Sequence, residues 1–211
     1  MINIPISVCY TALANLPLPS DALDDFIQLV AFRDYLGVER NSWNDCICVL
    51  RGLNIVNMFR CTTDPGFIYR NKVNPEGQAW LRENETYLFT RGKHKPGGPA
   101  LVHGTPFTVW RMPLERASEE LDRNSVIVDG PSSDFGINIH SGNPSNFKEV
   151  NGWSQGCVVI RRRDGWQDFI DTCYGGKRGF RKQEIFPLKI VKWRSESERS
   201  HRLVQFEKKG K

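Results

Sequence analysis

The chain has 211 residues, of which 39% are apolar and 25% charged, and its mean hydropathy is −0.45. Such a balance excludes a chain too polar to fold and one built around helical membrane spans; no run reaches the roughly 18 consecutive apolar residues a span needs. The formal net charge of +5 is concentrated in "RGKHK" (91–95), "IRRR" (160–163), "GGKRGFRK" (175–182) and the terminal "KKGK". It favours anionic partners, but charge alone does not choose between nucleic acid and an anionic wall polymer.

The opening segment "MINIPISVCYTALANLPLP" has no basic start and no small-residue cleavage site, so no secretory signal is expected and the product is expected in the cytoplasm as synthesised. Residues 20–36, "SDALDDFIQLVAFRDYL", are predicted as an amphipathic helix. Ser20 is a cap, Asp21, Asp24 and Asp25 face the positive end of the dipole, Leu23, Phe26, Ile27, Val30 and Ala31 recur at three and four, and Gly37 closes it. Residues 44–57, "NDCICVLRGLNIVN", fit a short helix, and "CICVL" fits a strand equally well.

From about Arg60 the texture changes to short runs between Gly, Pro and Asn: "AWL", "ETYLFT", "ALVHG", "PFTVWRM", "SVIVDG", "FGINIH", "CVVIR" and "FPLKIVKW". They predict a mostly antiparallel β domain. One helix interrupts it, "DGWQDFIDTCYGG" (164–176), with Asp164 near its start, Trp166, Phe169, Ile170 and Cys173 as its apolar stripe and Gly175 at its end. The expected organisation is α+β: a helical extension over 1–56 packed on the same domain, a β-rich domain over 57–193, and a charged segment over 194–211.

Six cysteines (Cys9, Cys46, Cys48, Cys61, Cys157, Cys173) show neither a secreted-scaffold spacing nor a C-x-x-C pair. Reduced thiols are expected, with no metal site and no cofactor. Chemistry concentrates instead in "GINIHSGNPSNFKEVNGWSQGCVVI" (136–160). In a strand alternate side chains take opposite faces, so Phe135, Ile137 and Ile139 point one way while Asn138 and His140 point the other, at a strand end. Gly156 frees the backbone before Cys157 and bares the neighbouring N–H groups. A thiol near pH 7 needs a neighbouring base to become a nucleophile, and an imidazole can also protonate a leaving amine. Amides around Gly156 and Cys157 would serve the oxygen that becomes negative. The competing reading makes His140 a surface histidine and Cys157 a small buried hydrophobe. Asn138, Asp134 or Ser141 could orient the imidazole, Asn138 being favoured for its shared face. His94 lies in a Gly/Pro-rich loop able to fold over a substrate; His103, Trp153, Trp166, Tyr87 and Trp110 read mainly as structural or as pocket walls.

"IHSGN…NGWSQGCVVI" resembles the signature of the L,D-transpeptidase (YkuD-like) catalytic domain, a His followed after about sixteen residues by Ser/Thr-x-Gly-Cys. His140, Ser154, Gly156 and Cys157 take those places. The resemblance implies a β-rich fold and action on peptidoglycan stem peptides, in which Cys157 attacks a peptide carbonyl, forms a thioester and passes the acyl group to an amine or to water. Ser141, Gln155, Trp153, His94 and Arg161 are expected to meet substrate. Gln155 stands where those enzymes usually have His, and Val159 where they usually have Arg or Asn. Farther upstream "TTDPG" (62–66), "NPEGQAWL" (74–81), "HKPGGPALV" (94–102) and "FTVWR" (107–111) are similar to phage- and prophage-associated proteins ending in the same signature. This implies delivery to the wall by lysis or injection and association with a phage particle or lysis proteins. The alternative is a non-catalytic component of such a particle that retains the fold. No nucleic-acid module is recognisable, and no specific nucleic acid is expected.

Overall fold

The computed structural model describes residues 26–34, 41–52, 54–67, 77–94, 98–104, 107–112, 130–132, 136–142, 148–161, 165–175 and 183–193. Eleven strands and one α-helix follow in chain order among them. They are β1 (Ile27–Asp34), β2 (Asp45–Arg51), β3 (Asn54–Thr62), β4 (Gln78–Leu81), β5 (Thr86–His94), β6 (Gly98–His103), β7 (Phe107–Met112), β8 (Gly130–Ser132), β9 (Asn138–Ser141), β10 (Val158–Ile160), α1 (Trp166–Tyr174) and β11 (Ile185–Trp193). Eight strands close into a barrel in the order β1-β11-β5-β6-β9-β10-β3-β2, and β4-β7-β8 form a separate antiparallel sheet. Two barrel seams are parallel, β1 with β11 and β9 with β10; the rest are antiparallel.

Eight strands enclose just enough room for side chains, and alternate residues fill it. Leu29 and Ala31, Ile47 and Val49, Phe59 and Cys61, Tyr87 and Phe89, Ile137 and Ile139, Val158 and Ile160, and Leu188 and Ile190 share one buried cluster. Trp166, Phe169, Ile170 and Cys173 of α1 join it, with the Phe169 ring edge-on to Phe59 at 5.6 Å. Each large side chain so buried contributes about 1.5–3 kcal/mol of transfer free energy. The helix ends as its sequence implies: Gly175 takes φ 73° and donates its N–H to Asp171 O, a left-handed cap that favours a residue without Cβ. Asp164 lies outside the described residues.

The helix expected over 20–36 is not what forms where that segment is described: Ile27–Asp34 is a strand buried along its whole length. A strand covered on both faces reads as a continuous apolar run, which helical spacing fits by accident. What decides is remote, since Leu29 pairs with Leu188 on one side and with Val49 on the other. Within 44–57 the strand alternative forms, as β2 and the start of β3, so the expected boundary at 56/57 falls inside β3. The segment 1–25, the stretch "SVIVDG" up to residue 129, and 194–211 lie outside the described residues.

One cluster of buried charged side chains pairs within itself. Arg33, fully buried, meets Asp64 at 3.3 Å and also Glu83, and donates to Thr63 Oγ1 (2.8 Å) and Thr63 O (3.0 Å). Asp45 accepts from the Asp34 amide (2.8 Å) and from the Thr63 amide and hydroxyl (both 2.6 Å). Burial and the Asp64 carboxylate push the Asp45 carboxyl up to about 6, against the hydrogen bonds from Thr63 and Asp34 and the attraction of Arg33. The network pins residues 62–66, and those residues reach the site. Among the described residues no helix is long and apolar enough to cross a membrane.

Candidate active site

His140 and Cys157 come together because β9 and β10 are parallel neighbours. Val158 faces Ile139 and Val159 faces His140 across the seam. Ile139 and Val158 turn into the barrel, so His140 and Val159 turn outward, and Cys157, two residues before Val159, shares that outer face. There Cys157 and Val159 pack with Trp43 and Val150 as a second, smaller apolar cluster. A cavity of about 230 Å³ opens over the seam, lined by His94, Gly136, His140, Gly152, Trp153, Gln155 and Cys157.

The turn that delivers the cysteine is held from several sides. Ser154, fully buried, donates its hydroxyl to Cys157 O (2.8 Å) and accepts from the Gly156 N–H (3.3 Å). Gly156 takes φ 147°, in the region that disfavours a side chain. Gly66 N–H donates to Ser154 O and Ala79 N–H to Gln155 O, both at 3.0 Å. Gly66 also lies so close to the preceding turn, Asn151–Trp153, that a Cβ there would stand 2.1 Å from Asn151 O. Asn41 joins the same loop: its carbonyl accepts from Val150 N–H (2.9 Å) and its side-chain oxygen from the Asn151 and Phe67 amides.

Both candidate groups rest uncharged. The His140 side chain is almost fully buried at 4% exposure, which with the nearby His94 pushes its pKa down to about 4, against the Ser141 carbonyl. The Cys157 thiol, at 9%, is pushed up to about 11 by burial, against the Asn138 amide. That amide donates to Sγ at 3.4 Å, and the thiol itself donates to Gly136 O at 3.6 Å. Ser141 O can only accept, so the His140 nitrogen 2.9 Å away, Nδ1, carries the proton. Nε2 is therefore a bare lone pair, and it is buried with no hydrogen-bond partner among the described residues.

Asn138, expected to orient the imidazole, does something else: its amide nitrogen meets His94 Nδ1 at 3.0 Å. The orienting group is the main-chain carbonyl of Ser141, which side-chain patterns do not report; Asp134 lies outside the described residues. His94 is not on a loop but ends β5, and its ring stacks on His140 with centroids 4.0 Å apart and planes 3° apart. Burial lowers its pKa as well. Trp153 and Gln155 line the cavity, Trp153 being 41% exposed. Arg161, just past the end of β10, is not part of the lining. His103 sits edge-on to Phe107 at 6.1 Å, behind Gly136 and outside the cavity lining.

Missed by sequence reasoning were Gly136, whose carbonyl takes the thiol, Gly152, and the Asn41 hub. Only Asn41's positive φ of 73° is a local trace of that role, and it is not legible without coordinates. Among the described residues no group of His, Cys, Asp and Glu is arranged to hold a metal ion. Set against protein-family models, curated proteins and solved structures, the chain finds no match.

Proposed function

We propose that the chain is a cysteine-dependent acyl-transfer enzyme of the L,D-transpeptidase (YkuD-like) kind, acting on peptidoglycan stem peptides through a thioester. One observation carries the reading. Cys157 and His140 line a single cavity, and the imidazole is held with its bare Nε2 free of any partner among the described residues. The signature spacing from His140 to Ser154-x-Gly156-Cys157 supplies the substrate class.

In this reaction His140 Nε2 takes the thiol proton as Cys157 Sγ attacks the peptide carbonyl carbon. The C–S bond forms, the carbonyl electron pair moves to oxygen, and the Cys157 amide donates to it. Collapse restores the carbonyl, breaks the C–N bond and expels an amine that takes the proton back from His140. Water deprotonated by the same nitrogen then hydrolyses the thioester. Moving a proton from a group at about 11 to one at about 4 spans seven units, an uphill step of about 10 kcal/mol. A turnover per second tolerates a barrier of about 17 kcal/mol, so the neutral pair suffices provided transfer accompanies C–S bond formation. The Asn138 amide already aimed at Sγ stabilises the charge that develops there.

The cavity, about 230 Å³ and open on one side, gives a peptide carbonyl a way to the thiol. A second reading, a non-catalytic component of a phage-like particle, draws on the resting state itself, in which the thiol is neutral and bonded to Gly136 O. Incubating the protein with diaminopimelate-type sacculi and resolving the muropeptides separates the two. The enzyme reading expects new products from the native chain and none from Cys157→Ala; unchanged muropeptides with the native chain support the second.

A further inference from the structure

We propose that His94 is the hydrogen-bond donor to the carbonyl oxygen that becomes negative during acyl transfer, so that two stacked imidazoles divide the chemistry. The inference rests on the acyl-transfer reading and adds a residue to it.

Neighbouring groups fix the tautomer of each ring. Ser141 O accepts from His140 Nδ1 and leaves that ring with an accepting Nε2. Asn138 presents its NH2 group to His94 Nδ1, which must accept and is therefore bare; a neutral His94 ring then carries its proton on Nε2. Both fixing groups belong to β9, Asn138 at its start and Ser141 at its end, and the rings they fix lie parallel at 4.0 Å in the same cavity. The site thus holds one imidazole nitrogen that takes a proton and another that offers one.

The oxyanion also needs such a donor. The Gly156 amide, the natural candidate beside the nucleophile, is turned to Ser154 Oγ. No Lys or Arg lines the cavity among the described residues. A neutral N–H donor has the further merit that it adds no positive charge beside His140, where charge would weaken the base.

The test compares two reactions of the same sulfur in the full chain. Acylation of Cys157 by p-nitrophenyl acetate passes through an oxyanion; alkylation by iodoacetamide, a displacement at a saturated carbon, does not. His94→Phe keeps a stacked ring without a donor, and His94→Gln returns an amide N–H near the position of Nε2. The expected result is that His94→Phe lowers acylation by about 10²–10³-fold, as loss of one oxyanion donor does, while alkylation stays within about threefold. His94→Gln should recover at least about tenfold of the acylation. Equal losses in both reactions would make His94 a support for His140 and overturn the proposal, as would unchanged acylation or a native Cys157 that p-nitrophenyl acetate does not acylate. Nitrogen-15 spectra of the imidazoles provide an independent reading: Nε2–H on His94 and Nδ1–H on His140 are expected, and Nδ1–H on His94 overturns the proposal. Neither measurement uses peptidoglycan. A protein inert towards sacculi but behaving as expected here would lose its proposed substrate and keep its donor.

Discussion

The resting charge state of Cys157 can be read from how fast it alkylates as pH changes. Thiolate is the reactive form, so with the thiol at about 11 roughly 3 in 10⁴ molecules are ionised at pH 7.5, against nearly one in ten for an ordinary cysteine at about 8.5. Alkylation by iodoacetamide, followed by peptide mass mapping so that Cys157 is scored separately from the other thiols, should therefore run about 300-fold slower than for a free cysteine. It should rise about tenfold per pH unit to beyond pH 10. Because His140 is neutral above about pH 4, it offers the sulfur no positive charge. His140→Gln should then give a profile that overlies the native one within about threefold, since no ion pair is lost. A plateau below pH 7 in the native protein that His140→Gln abolishes would mean a preformed thiolate–imidazolium pair. That result would refute the assignment of a neutral pair and the concerted proton transfer built on it.

Other consequences follow from the same geometry. His140 is lowered from 6.5 to about 4 in the folded chain, so the unfolded chain binds more protons in that window and stability is lost as pH drops through it. Denaturant midpoints should show His140→Gln gaining on the native protein by about 3 kcal/mol between pH 7 and pH 4; an unchanged gap would mean the imidazole is not buried as described. Asp45, raised to about 6, works oppositely, contributing stability below about pH 4 that is lost as pH rises through 6. Asp45→Asn should accordingly flatten the loss over pH 4–6, seen in the same titrations. Gly156→Ala forces a side chain onto φ 147° and should cost about 1–3 kcal/mol in thermal unfolding while lowering acylation of Cys157; a neutral effect on both would dismiss the turn as a constraint. Gly66→Ala puts a methyl 2.1 Å from Asn151 O, so the cavity wall must move. About 1–3 kcal/mol of stability and most of the muropeptide release should be lost together, with a native-like melt and full activity contradicting the coupling.

The parts of this molecule visible in its sequence are those fixed locally. Short alternating runs between turn residues mark β5, β6, β7, β9 and β11, and the stripe of Trp166, Phe169, Ile170 and Cys173 with Gly175 behind it marks α1, because each depends on a few adjacent residues. The same alternation puts Asn138 and His140 opposite Ile137 and Ile139, which is the face on which His140 meets the cavity. What the sequence hides is pairing at a distance. Ile27–Asp34 takes its strand character from β11, about 160 residues away, and its two-sided burial imitates helical spacing. His94 reaches His140 only because β5, β6 and β9 are consecutive barrel strands. The group that orients His140 is a backbone carbonyl, present in every residue and so marked by none.

The central claim, that Cys157 carries an acyl group taken from a stem peptide, is tested most directly by intact-mass analysis of the protein after brief exposure to diaminopimelate-containing stem peptides. The expected result is an adduct equal to the acyl fragment, mapped to Cys157, released by neutral hydroxylamine as a thioester must be, and absent from Cys157→Ala and His140→Gln. A native protein whose Cys157 still alkylates but which gathers no adduct at any time, with every stem peptide returned intact, would contradict it.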